Sequence, residues 1–218
     1  MSSAFVITAG PTREHLDPVR FLSNPSTGKM GFALARAAVR RGHRVTLVAG
    51  PVALKTPRGV KRVDVVSARQ MLAAVRAALK ADPRATLVAT AAVADWRPAE
   101  CAAAKLKKDG MSGALKLKRN PDILRTVRAA HKVGFAAETG AVAGEARRKC
   151  RAKNLDFIVA NDVTERGAGF GTDTNRVTLF FRDGTSVRLP LMSKLAVARR
   201  IVKYCENLEK PTERKRNE

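Results

Sequence analysis

Cysteine is scarce in this chain of 218 residues, and the three present, Cys101, Cys150 and Cys205, lie far apart. No C-x-x-C pair occurs, which argues against a zinc site or a disulfide framework. A reducing cytoplasm is the default compartment for such a chain. Long apolar runs are missing as well: none reaches the roughly 20 residues that span a bilayer. The opening residues MSSAFVITAG carry no basic segment ahead of an apolar one and read as a strand, so no signal peptide is expected. With one Trp and one Tyr, stacking platforms for single-stranded nucleic acid are sparse. His15, His43 and His131 form no partner pattern and receive no role. Acidic residues are also short in supply. Against 42 Lys and Arg stand 19 Asp and Glu, a net charge of +23. The excess is spread along the chain as a solvated basic surface would be, and it suits polyanions such as nucleoside triphosphates, phosphorylated metabolites or nucleic acid.

What is present centres on the stretch from Phe5 to Gly31. AFVITAG is a short apolar run that ends in Gly10, as a buried parallel strand would. TGKMG is a turn spaced by Gly28 and Gly31 that opens a helix. A helix start offers free backbone N–H groups and the positive end of the dipole, which suits a phosphate. Strand, glycine turn and helix together open a nucleotide-binding α/β fold. The loop between them is long and carries Arg20, Asn24 and Ser26. Loops of that length inside compact domains are usually functional.

The rest of the chain alternates. The pattern predicts a helix over Met30–Arg41, strands over Arg44–Ala49 and Lys61–Val66, and a helix from the capping box Ser67–Gln70 to about Lys80. Ala85–Ala92, small and apolar, reads as a central strand with Asp95 just beyond it. Trp96–Arg119 holds Pro98, a lysine cluster and two glycines, and reads as an arm or hairpin leaving the sheet. Asn120-Pro121 predicts a helix start, with Asn as N-cap and Pro at the first helical position, running to about His131. Val133–Ala137 and Leu155–Ala160 are strands around a helix over Ala141–Lys153. A glycine-rich loop, Gly167–Asn175, precedes a hairpin with Asp183-Gly184 at its turn and a last helix from Ser193 to Leu208. Residues 209–218 form a charged tail. The expectation is one Rossmann-like, doubly wound, mainly parallel α/β domain over residues 1–208, with helices on both faces, a dimerisation arm and a C-terminal hairpin plus helix.

In such a sheet the strand ends share one edge. Gly10 to Gly31, Ala91 to Asp95, Asn120 to Ile123, Phe135 to Thr139 and Asn161-Asp162 would meet there, with Arg20, Lys105, Lys149 and Lys153 as basic additions. That is a pocket for a highly charged nucleotide and a second anion. A nicotinamide-dependent reductase is the main alternative. The second strand ends in Ala49-Gly50-Pro51 without the acidic residue that takes a ribose hydroxyl. The lone Tyr204 has Leu208, not Lys, four residues on. A nucleic-acid-binding protein is the other alternative, and it would betray itself by a steep salt dependence.

The stretches ITAGPTREHLDPVRFLSNPSTGKMG, AAVADWRP, KLKK, NPDI, VGFAAET, KNLDFIVAND and FGTDTN follow one another through the chain. Together they resemble the bacterial phosphopantothenate–cysteine ligase family. Pro25, Thr27 and Leu106 are the small departures. The resemblance implies a two-step reaction. CTP, carrying Mg²⁺, would activate the carboxylate of 4′-phosphopantothenate as an acyl-cytidylate, and the amine of L-cysteine would then displace CMP. By motif position it assigns Asn24 to the acyl intermediate and Lys105 to its formation. Ala92 and Asp95 would line the intermediate, and Arg20 would reach the substrate phosphate across a homodimer. Gly10, Ser26, Gly28 and Gly31 match a phosphate cradle. Asn120, Pro121, Asp122, Ile123, Phe135, Lys149, Lys153 and Asn161 match further nucleotide contacts, along with Asp95 and Lys105. No side chain is assigned to a metal. Relatives fused behind a flavin-dependent decarboxylase are common, so the resemblance is to a stand-alone, cytoplasmic form whose decarboxylase would be a separate partner.

Overall fold

A computed structural model describes residues 3–107, 113–140, 142–165 and 167–208. Eight strands form the main sheet: β1 (Ala4–Ala9), β2 (Arg44–Ala49), β3 (Val60–Asp64), β4 (Thr86–Ala89), β5 (His131–Glu138), β6 (Phe157–Asp162), β7 (Thr178–Phe181) and β8 (Ser186–Arg188). Their order is β8-β7-β6-β5-β4-β1-β2-β3. The first six pair in parallel, and β7 and β8 close one edge as an antiparallel hairpin. Strand β1 is buried along its whole length, because it sits mid-sheet with helices on both faces.

The helices are α1 (Lys29–Arg40), α2 (Ala68–Ala81), α3 (Ile123–Thr126), α4 (Val142–Ala152) and α5 (Lys194–Leu208). Helices α1 and α5 share one face, where Phe32, Leu34, Val197 and Ile201 pack on Ile7, Leu47 and Val159. On the other face, Met71 and Val75 of α2, Ile123 of α3 and Cys150 of α4 pack with Val6, Leu87 and Ile158. Each apolar stripe recurs at helical spacing, which is why the sequence announces these helices. Ser67 and Gln70 form the reciprocal capping box expected at the start of α2.

The chain builds β1, β2 and β3 outward, then returns to set β4 on the other side of β1. This reversal opens a crevice at the carboxyl ends of β1 and β4, where open α/β sheets bind ligands.

The structure departs from the sequence reading at several places, among them the strand expected over Ala85–Ala92, which is shorter, Thr86–Ala89. The helix expected over 120–131 is a single turn, Ile123–Thr126, capped by Asp122, whose Oδ1 accepts from Arg125 N. Asn120 does not cap it: its Nδ2 donates to Ala94 O at 2.8 Å, so the tertiary bond wins over the local one. Strand β5 then starts early, at His131, because His131 pairs with Thr86. Within the long loop, Arg13–His15 pairs antiparallel with Phe21–Ser23. The arm or hairpin expected over Trp96–Arg119 agrees with an antiparallel ladder of Trp96–Pro98 against Leu117–Arg119. Part of the KLKK cluster and the tail over 209–218 lie outside the described residues.

Candidate active site

The crevice is a cavity of about 420 Å³. One wall is the start of α1. Gly28 is the N-cap with φ of 76°, no side chain caps the helix, and its first turn holds no acidic residue. The first intrahelical bond runs from Phe32 N to Gly28 O at 3.1 Å, so the N–H groups of Lys29, Met30 and Gly31 have no acceptor within the helix. All three residues line the cavity. The helix sits so close to the sheet that a Cβ on Gly31 would fall 2.4 Å from Ala9 Cβ and 2.6 Å from Thr90 Oγ1. Gly31 thus brings the dipole end to the edge of the crevice. Ser26 Oγ accepts from Gly28 N at 3.3 Å and steadies the turn.

Asn24 reaches across the crevice: its Nδ2 donates to Ala92 O at 3.1 Å. One amide hydrogen is engaged there, and the other, with Oδ1, remains for a ligand. Ala92 is itself held by its N–H to Gly10 O at 2.9 Å. Opposite stands the short helix α3. Asp122 caps it and pairs with Lys153 Nζ at 2.9 Å. Phe135 from β5 and Asn161 from β6 complete the floor.

The structure thus brings Asn24, Ser26, Gly28, Gly31, Ala92 and Asp95 to one cavity. It brings Asn120, Pro121, Asp122, Ile123, Phe135, Lys153 and Asn161 to the same cavity. Four residues from the sequence reading are not in its lining. Gly10 lies behind the wall, its N 3.3 Å from where a Gly28 Cβ would stand. Arg20 is bound to Asp17 and to Leu106 O. Lys105 is exposed on the arm. Lys149 Nζ pairs with Glu138 at 2.6 Å and Glu145 at 3.5 Å. Burial opposes its charge, but the two carboxylates outweigh burial and raise its pKa.

Two lysines that the sequence reading left out of the site line the cavity. Lys29 Nζ donates to Gly171 O at 2.9 Å and pairs with Asp173 at 2.8 Å. Lys194, buried at the start of α5, donates to Gly169 O at 2.9 Å and Thr172 O at 2.6 Å. Burial and the charge of Lys29 lower its pKa. Together they hold the glycine-rich loop against the cavity, with Phe170 and Asn175 in the lining. Among the described residues no cluster of three or more His, Cys, Asp or Glu side chains could hold a metal ion. No helix among them is long and apolar enough to cross a membrane.

Residues 1–208 match the family model described as DNA/pantothenate metabolism flavoprotein C-terminal domain. The chain is 51% identical over 212 residues to the coenzyme A biosynthesis bifunctional protein CoaBC of Bacillus subtilis (strain 168), covering 95% of this chain and 52% of that one. It is 52% identical over 197 residues to the protein of the same name from Escherichia coli (strain K12), covering 87% and 48%. The chain therefore spans about half the length of these curated relatives. Among solved structures, the C-terminal domain of a coenzyme A biosynthesis bifunctional protein CoaBC superposes with a TM-score of 0.79 at 41% identity, over 94% of this chain and 95% of that one. A Cab2 H337A variant in complex with phosphopantothenate-cysteine shares the fold, with a TM-score of 0.78 at 16% identity over 94% and 87%. The parallel sheet, the crevice beside α1 and these likenesses agree: the chain belongs to the DNA/pantothenate metabolism flavoprotein C-terminal domain family.

Proposed function

We propose that this chain is a ligase that joins 4′-phosphopantothenate to L-cysteine through an acyl-cytidylate made from CTP. The observation that carries the reading is the seating of Asn24 against Ala92, across the crevice from an uncapped helix start with three open N–H groups. An anion is stabilised at such a start, and an amide donor beside it suits an acyl oxygen gaining charge. In the first step a carboxylate oxygen attacks the α-phosphorus of CTP and pyrophosphate leaves. In the second, the cysteine amine attacks the acyl carbon, CMP leaves and a proton is released. Activation is required because an amine does not displace oxide from a carboxylate in neutral water.

In this reading Gly28, Gly31 and Ser26 cradle phosphates, with Gly10 behind them. Asp95, Asn120–Ile123, Phe135, Lys153 and Asn161 surround the nucleotide. Lys149, paired with Glu138 and Glu145, stands outside the lining. Lys105 is the cation that meets the α-phosphate in this reading. Asp95 and Asp122 are the carboxylates in the lining, and Asp122 is already paired with Lys153, so a Mg²⁺ would arrive on the phosphates rather than in a protein cage. Bound there, Mg²⁺ would neutralise phosphate charge.

The chain works as a homodimer in this reading, with Arg20 serving the neighbouring site. Support comes from exposed Val19, Phe21, Trp96, Leu115 and Leu117 on the loop and arm, which is apolar surface of the kind a partner covers. A decarboxylase would consume the product. The reductase alternative is disfavoured by packing: a Cβ at Gly50 would lie 1.7 Å from Pro11 O, so no acidic side chain fits at position 50. Mixing the protein with CTP, phosphopantothenate and cysteine should release pyrophosphate and form the amide. Hydride transfer from a nicotinamide without pyrophosphate would favour the reductase.

A further inference from the structure

Asp17 lies in the long loop, outside the cavity, and has 0% exposure. A buried carboxylate is tolerated only where donors replace water, and here they come from two separate parts of the chain. Oδ1 accepts from Val19 N and Arg20 N, each at 2.8 Å. Oδ2 accepts from Arg20 Nε at 2.9 Å, Arg20 Nη2 at 2.6 Å and Leu106 N at 3.2 Å. Arg20 Nη2 donates in turn to Leu106 O at 2.9 Å. A third stitch between loop and arm runs from Ala102 N to Leu16 O at 2.8 Å. The arm segment beside Lys105 is thus tied to the loop at one carboxylate, and the guanidinium of Arg20 is part of the same knot. The Arg20 fork holds the Asp17 carboxyl well below the usual carboxylate range.

We propose that Asp17 is a positioning residue that sets Arg20 and the Lys105 segment as one unit. The inference rests on the ligase reading, in which Arg20 takes the substrate phosphate and Lys105 promotes cytidylate formation. A rigid two-pronged pair fixes the direction of the guanidinium. The shared contact to Leu106 passes that order to the residue next to Lys105. Substrate capture and activation are thereby coupled through a group that touches neither reactant.

The test is a kinetic cycle. Asp17→Asn keeps size, but it turns an amide donor toward groups that are themselves donors. It should raise KM for phosphopantothenate and slow single-turnover pyrophosphate release, each by about 10- to 100-fold, the range for losing a charged hydrogen-bond partner. In an Arg20→Ala, Lys105→Gln background the same change should add less than about twofold, because its targets are gone. Hydrogen exchange at Leu106 should speed up in Asp17→Asn. A second variant covers the case in which Asp17→Asn unfolds. Arg20→Lys loses the fork but leaves Asp17 in place, and at saturating phosphopantothenate it should still slow pyrophosphate release. Additive losses in the background, or unchanged pyrophosphate release in Arg20→Lys, would overturn the coupling while leaving the ligase reading intact. A wild-type protein that makes no pyrophosphate from the three substrates would overturn both.

Discussion

Asn24 is the residue on which the proposed chemistry turns, and its surroundings sharpen what a substitution does. In Asn24→Asp the donor to Ala92 O becomes an acceptor facing an acceptor, beside a cavity built for anions. Cytidylate formation should survive, since the helix start and Lys105 are untouched. Attack by cysteine should fail, because an anion repels the developing oxyanion. Mass spectrometry of the quenched mixture should find accumulated acyl-cytidylate; amide made at the wild-type rate would reduce Asn24 to a loop residue. Lys105→Gln should do the reverse and block the first step, slowing pyrophosphate release by roughly 10²–10³. Normal release would return Lys105 to a surface charge. Asp17 adds a pH effect. Its folded pKa lies below the unfolded value, about 4 for a free aspartate, so its stabilisation is present above that pH and fades as pH falls below it. Thermal melts from pH 6 down to pH 2 should show a steeper acid loss in the wild type than in Asp17→Asn.

At the scale of elements, helix α1 is the piece whose position matters most. Gly31→Ala drives a methyl into Ala9 and Thr90, with backbone at Thr8 O also 3.0 Å away. Overpacking of this kind costs about 1–3 kcal/mol, a fall in Tm of about 2–12 °C for a chain of this size. The helix must also lift from the sheet edge, so nucleotide affinity should fall together with Tm in calorimetry. Wild-type affinity would show that the close approach serves packing alone. Elements built on local rules were legible in the sequence. The apolar run of β1, the Ser67–Gln70 box of α2 and the Asp183-Gly184 turn between β7 and β8 carry their instructions within a few residues. The helix over 120–131 was misread for the opposite reason. Asn120 looks like a cap locally, but its amide is engaged 26 residues away at Ala94. The cavity's residues at strand ends were legible too, since parallel strands share an edge. Lys194 was not, because its acceptors at Gly169 and Thr172 become neighbours only after the loop folds back onto α5.

For the whole molecule, the proposal divides each site between two chains. Sedimentation at micromolar concentration should give a dimer. Mixing Arg20→Ala with Asn24→Ala subunits should restore part of the activity, as one site in the mixed dimer keeps both groups. A monomer, or no recovery on mixing, would mean sites built within one chain. The sheet's two margins bear on how subunits meet. Strand β3, VKRVD, lines one margin with Lys61, Arg62 and Asp64, and β8, SVR, ends the other after three residues with Arg188. Short, charged margins discourage a second copy from adding its strands to the ladder. Growth by edge-to-edge stacking, the route to fibres and open-ended aggregates, is closed at both ends. In the proposed dimer, self-association is left to the arm, a contact that is satisfied once two copies have met.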